Sequence, residues 1–296
     1  MQRTVKLESL TDAAARVADG DRVALGGFAI YQRPMAFARE LVRQKRRDLT
    51  IIGVTNAIET DLLVGAGCVS CIESSYVGLE RYGLARNIRR AIEAGTVRYV
   101  DFPELIAWDR FRADQEGLPY WPCTFLGGAD LVRLNSQIRS YKCPLTGRPM
   151  WAIPPAQADV VVLHVPMADK YGNAALAPTK TLPQGLDVTL SRSSNRLILT
   201  ADRIVETAEL SRKPWAVEIP AFRVEAVVEA PFGTHPTATL GVCDIDDAAF
   251  RTYANAAARP DDFASYLETE LGDDHIDYLD RQGIDRLMRL RDVELA

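Results

Sequence analysis

"VALGGFAIYQRPMAFARELVR", residues 23–43, passes from an apolar run of strand length through two glycines into an amphipathic stretch. Met35, Phe37, Ala38, Leu41 and Val42 fall along one stripe at helical spacing, so the segment predicts a strand, a glycine bend and a helix in that order. Further apolar, β-branched runs follow at residues 48–56, 68–78, 96–102, 158–169, 196–206 and 222–231. Uninterrupted apolar runs suit strands covered on both faces. Helical patterns lie between them, as in "ERYGLARNIRRAIEAGT", which ends at Gly95, a fitting residue for a helix C-terminus. Strand and helix alternating in this way predict an α/β fold with an open, mostly parallel sheet and helices on both faces.

Two segments depart from that rhythm. Residues 123–157 are rich in Gly, Pro and Asn without a clean period, and read as an irregular or hairpin excursion, suited to a lid or an interface with another chain. From about Pro260 the chain is helical and acidic, with apolar spacing fit for docking on a surface. No internal repeat divides the sequence, so residues 1–296 are expected to form one domain. With 296 residues, 47% of them hydrophobic, the chain can bury a substantial core. A net charge of −5 with basic residues dispersed along the chain excludes nucleic acid and membrane surfaces as main partners. The N-terminus has no signal-peptide core and no run is long enough to span a bilayer, which predicts a cytoplasmic protein. Five cysteines, an odd number, point to reduced thiols rather than a disulfide framework.

The glycine bend is the first candidate site. Gly26-Gly27-Phe28-Ala29-Ile30-Tyr31 has neither the glycine spacing of a dinucleotide fingerprint nor the Lys-Ser/Thr pair of a phosphate loop. It reads either as a plain turn or as a set of backbone donors for a developing oxyanion. Glu104 follows a strand and opens a helical stretch, where a carboxylate either favours the helix N-terminus or serves as nucleophile or base. His235 stands in a polar loop after a strand, where α/β sheets bind ligands. His164, at the end of a buried run, reads as a core residue. Cys68-Val69-Ser70-Cys71 has the spacing of half a metal site but no matched second pair, and no metal is expected.

Taken in order, "GGFxxxxxPMAF", "HVPMADKYGN", "DRIVETAEL" and "VVEAPFGTHPT" resemble class I coenzyme A-transferases, in particular the α (A-type) subunits of the glutaconate CoA-transferase type. The resemblance covers roughly Leu7 to Asp246. It implies a coenzyme A thioester as substrate, no tightly bound cofactor, and a separate homologous β subunit, in a heterodimer or an α2β2 assembly. By the same resemblance, a glutamate of that second chain would attack the thioester, and this chain lacks the serine–glutamate–asparagine–glycine run that carries it. For this chain the resemblance implies that Gly26, Gly27 and Phe28 help form the oxyanion hole. Ala29 stands where the family commonly has a glycine. The "RPMAF" run, Arg33 to Phe37, also resembles a hydrolase branch that opens steroid rings on CoA thioesters with an α-subunit glutamate, here Glu104. Arg33 and His235 are candidate substrate-binding residues. A non-catalytic, ligand-sensing relative is the expectation from a different functional class.

Overall fold

The computed structural model describes residues 4–176 and 182–291, so the two extreme ends of the expected 1–296 domain and the segment 177–181 lie outside them. Seven strands run parallel: β1 (Arg22–Leu25), β2 (Leu49–Ile52), β3 (Val69–Ser74), β4 (Arg98–Asp101), β5 (Val160–Ala168), β6 (Leu197–Ile204) and β7 (Val224–Glu229). Each lies inside one of the seven apolar runs. Their spatial order is β7-β6-β5-β1-β2-β3-β4. The chain therefore builds outward from β1 in one direction, then returns to β1's other side and builds the opposite way. The switch falls between β1 and β5, paired at Val23 with Val160 and Leu25 with Val162. In open parallel sheets the crevice beyond the strand ends at such a switch is the binding position.

Alternate residues of β5 divide the two cores. Val160 and Val162 face the layer of helices α1 (Leu10–Ala15), α2 (Met35–Arg43), α3 (Ile58–Gly65) and α4 (Arg86–Glu93). Val161, Leu163 and Val165 face α5 (Glu104–Glu116) and α6 (Leu182–Ser193), through Ile106, Phe111, Leu186 and Leu190. Both faces are covered, which is why β5 contains no exposed residue. Residues 121–153 form an antiparallel three-stranded sheet, Trp121–Cys123 and Arg139–Lys142 flanking Pro149–Ile153. Cys123 and Ile153 anchor it on the α5–α6 core, while Phe125, Leu134 and Leu145 remain exposed. The acidic tail forms α8 (Pro260–Glu270) and α9 (His275–Gln282), preceded by α7 (Asp247–Ala256). Phe250, Tyr253 and Phe263 pack there against Met35, Ile58 and Leu62. Among the described residues no helix is long and apolar enough to cross a membrane.

Candidate active site

The passage from β1 to α2 lies at the switch point. Gly26 continues the sheet, its N–H donating to the Val162 carbonyl at 2.8 Å. Gly27 turns with φ +83°, and its N–H donates to Asp187 Oδ1 of α6 at 2.7 Å. Phe28 and Tyr31 exchange two backbone hydrogen bonds of 3.0 Å and so close a tight turn. Both glycines are required sterically. A Cβ on Gly26 would stand 2.4 Å from the Leu163 side chain and 2.7 Å from Asp187 Oδ1; one on Gly27 would stand 2.4 Å from the Tyr31 carbonyl oxygen. Ala29 adopts φ +50° and Gln32 φ +61°, left-handed conformations that cost a non-glycine residue about 1 kcal/mol each. The turn needs positive φ at position 29, and alanine accepts it with strain.

All three amides of residues 26–28 are taken up within the chain. As folded, none of the Gly26, Gly27 and Phe28 N–H groups expected as oxyanion donors is free; each has a partner within the chain. The bend's surface is accessible at the apex instead, where a cleft of about 180 Å³ is lined by Tyr31, Leu240, Val242, Asp244 and Arg291.

Arg33 holds the bend from one side. Buried to 1% exposure, its guanidinium donates to the carbonyls of Ala29 (2.8 Å), Gly26 (3.1 Å) and Leu25 (3.4 Å), and lies 3.4 Å from Glu59. Glu59 is itself fixed, taking the Ala57 N–H on both oxygens and the Thr60 hydroxyl. Burial draws the Arg33 pKa down, opposed by the charges of Glu59 and Asp187. The candidate substrate-binding arginine is therefore an internal brace, with only Nη2 left without a hydrogen bond among the described residues. Asp187 holds the other side. Burial pushes its carboxyl up to about 7, against the opposing pull of the Gly27 N–H and the Arg33 charge. Its Oδ2, like Gln32 Oε1, has no hydrogen-bond partner among the described residues.

Glu104 is the exposed first residue of α5, beyond the end of β4. That is the same sheet edge as the bend but three strands away, roughly 15 Å at the usual spacing of 4.8 Å. It touches none of Gly26, Gly27 or Arg33 within this chain. His235 is corrected as a binding residue: it is buried, with Nδ1 2.7 Å from the Tyr278 hydroxyl and Nε2 3.0 Å from Asp246 Oδ2. Both nitrogens are engaged, and burial lowers its pKa despite the neighbouring carboxylate. The loop carrying it still serves the site, since Gly233 and Ala238 carbonyls and the Thr237 hydroxyl accept from the N–H groups of Ala36, Gln32 and Arg33. His164 is the core residue its position predicts, between Thr200 Oγ1 (2.9 Å) and Asp202 Oδ2 (3.1 Å). Cys68 and Cys71 are buried thiols whose pKa values burial raises, that of Cys68 to about 11.

Two site residues are not evident from sequence, Glu59 and Asp187. The available signal for Asp187 is an acid beside Leu186 and four residues before Ser191, on the buried stripe of a helix.

Residues 7–230 match the family described as Coenzyme A transferase. The chain is 34% identical over 286 residues to a protein of Archaeoglobus fulgidus, covering 94% of this chain and 62% of that one; it spans less than two thirds of that relative's length. It is 29% identical over 308 residues to the A subunit of glutaconate CoA-transferase from Acidaminococcus fermentans, covering 97% and 95% of the two chains. The crystal structure of that transferase superposes with a TM-score of 0.92 at 28% identity, over 97% of this chain and 96% of the other. Identity to the A subunit of 3-oxoadipate CoA-transferase from Pseudomonas knackmussii is 30% over 267 residues, 89% and 92% of the chains. A cholesterol ring-cleaving hydrolase IpdA subunit of Mycobacterium tuberculosis is 27% identical over 282 residues, 92% and 95% of the chains.

Proposed function

The chain belongs to the coenzyme A transferase family, and from that premise we propose that it is the α subunit of a heteromeric acyl-CoA:carboxylate CoA-transferase. The observation that carries this reading is the end-to-end likeness to the corresponding chain of glutaconate CoA-transferase, 97% of this chain against 95% of that one. The missing nucleophile run then has a simple account: the attacking carboxylate comes from a homologous partner chain.

In the proposed reaction that carboxylate attacks the thioester carbonyl and expels CoA thiolate, leaving a mixed anhydride. The thiolate then attacks the enzyme's acyl carbon, giving a glutamyl-CoA thioester and the free donor acid. The acceptor acid takes the same steps in reverse and leaves as the new acyl-CoA. This chain's contribution is the wall at the β1–β5 switch point. The bend braced by Arg33 and Asp187 sets the shape of that wall, and the partner supplies the reacting carboxylate.

A second reading, a CoA-thioester ring-opening hydrolase, is favoured by the hydrolase relative and by the exposure of Glu104 at the binding edge of the sheet. An exposed carboxylate there can activate water. The two differ in the acceptor. The complex of this chain with its partner is incubated with acyl-CoA and labelled acetate or succinate. Label in a new CoA ester is expected. Release of free CoA without label transfer would overturn the transferase reading in favour of the hydrolase.

A further inference from the structure

Resting on that reading of the chain as half of a transferase, we propose that Asp187 is a positioning residue: through the Gly27 N–H it holds the curvature of the bend at the substrate-binding edge. Asp187 lies 160 residues from Gly27 in sequence, on a helix belonging to the opposite half of the sheet. The 2.7 Å contact with Gly27 is the one hydrogen bond its carboxylate makes among the described residues, and Oδ2 has none. A side chain meant only to fill the stripe between Leu186 and Leu190 would be apolar, because a buried carboxylate is costly and half-satisfied more so. Both glycines suit this contact. The missing Cβ of Gly26 lets Oδ1 approach, and the left-handed φ of Gly27 turns the amide toward it.

Arg33 completes the arrangement without pairing directly with Asp187. It grips the carbonyls of residues 25, 26 and 29 while Asp187 grips the amide of residue 27, so the two charges attract one another across the bend. No other charge intrudes at the carboxylate among the described residues. Glu59 stands behind Arg33. Helix α5 presents Trp108 toward α6, bonded to Thr189, and its Asp109 and Arg112 pair with each other at 2.8 Å. On β5 the neighbouring Leu163 is apolar, and His164 points to Thr200 and Asp202. Loss of the carboxylate's charge weakens its grip on Gly27, and burial places that change near neutral pH.

The test uses the wild-type chain with Asp187→Asn and Asp187→Ala. In the free chain the Gly27 amide resonance is followed by NMR from pH 5 to 9; it is expected to titrate near neutrality in wild type and to be flat in Asp187→Asn. In the complex, Asp187→Ala is expected to lower kcat/KM for acyl-CoA at least tenfold. Asp187→Asn, which keeps an acceptor for Gly27, is expected to stay within about threefold of wild type and to lose the wild-type inflection in the pH profile. A Gly27 resonance that does not titrate in wild type overturns the proposal. So does a folded Asp187→Ala variant with wild-type kcat/KM, and Asp187→Asn decides the matter by its pH profile if Asp187→Ala does not fold. A wild-type complex that transfers no CoA overturns the transferase reading instead, and the Gly27 titration still decides the role of Asp187.

Discussion

Replacing Asp187 by Asn removes a buried charge whose effect on stability has a definite sign with pH. The folded-state pKa of about 7 lies above the ordinary 3.8, so between these values the folded chain holds a proton that the unfolded chain releases. Stability contributed by this group is therefore greatest at low pH and falls as pH rises from about 4 to about 7. About three pKa units at 1.36 kcal/mol each amount to roughly 4 kcal/mol of destabilisation above pH 7. Asp187 is fully buried, so solvent screening does not reduce the figure. Between pH 5 and pH 8 the share lost is roughly 2–3 kcal/mol, or roughly 5 °C in Tm for a chain of this size. Other groups titrate too. His275, held at about 3 by burial, and His235, also lowered, lose stability as pH falls below the usual histidine range. Glu73, held at about 2, contributes its full stability throughout this window. These terms are common to both proteins and cancel in the difference. Urea denaturation of wild type and Asp187→Asn at half-unit steps gives that difference directly. The variant is expected to gain on wild type by roughly 2–3 kcal/mol from pH 5 to pH 8. A gap constant to within about 0.5 kcal/mol would refute the account of Asp187 as a buried acid titrating near neutrality.

Three further outcomes follow from the same geometry. Gly27→Ala is expected to cost at least about 3 kcal/mol of stability, because its Cβ meets a backbone oxygen at 2.4 Å; Ala29→Gly two residues on is expected to stay within about 1 kcal/mol of wild type, since relief from φ +50° offsets the added chain entropy, and paired urea melts compare them. Glu104→Gln is expected to leave Tm nearly unchanged at an exposed helix start, costing about 0.5 kcal/mol, and to leave label transfer largely intact, whereas loss of all turnover would favour the hydrolase reading. His235→Ala is expected to cost about 3 kcal/mol, by opening a core cavity and leaving the Tyr278 hydroxyl and Asp246 Oδ2 without this partner, although Arg286 and the Ala249 N–H still hold Asp246 Oδ1, and to lower activity only in proportion to the folded fraction.

The strands are legible because a sheet covered on both faces requires apolar runs, and each of the seven runs holds one strand of the main parallel sheet. Their order is not, since which strand lies beside β1 depends on contacts distant in sequence, such as Val23 with Val160, that no local pattern carries. The bend can be located from its glycines, but its chemistry cannot. Glycines look alike whether they free their amides for a ligand or surrender them to the protein, and the difference lies in Asp187, far along the chain. His235 misleads for a related reason: a loop histidine reads as exposed until α9 brings Tyr278 over it. The excursion at 123–157 hides two short strands and the end of a third because their pairing partners are each other rather than the main sheet.

Two buried charge clusters in this molecule differ in how completely their polar atoms are satisfied. Glu73 accepts from Arg22, Arg110 and Gln137, with Arg110 at 2.6 Å, and both oxygens of its carboxylate are engaged. Such a closed network ties β1, β3 and α5 together at little net expense, since each lone pair lost from water is replaced. The cluster at the switch point is open. Arg33 Nη2, Gln32 Oε1 and Asp187 Oδ2 are buried without partners among the described residues, in a turn that also carries two left-handed non-glycine residues. Unpaired groups of this kind cost about 1–3 kcal/mol each, and folding alone would select against them. Strain and unmet hydrogen bonding concentrate where a protein must hold a shape for something other than its own stability. At this switch point three of the nine such buried atoms among the described residues and two of the seven non-glycine residues with positive φ meet, at the strand ends where an α/β sheet of this order binds its ligand.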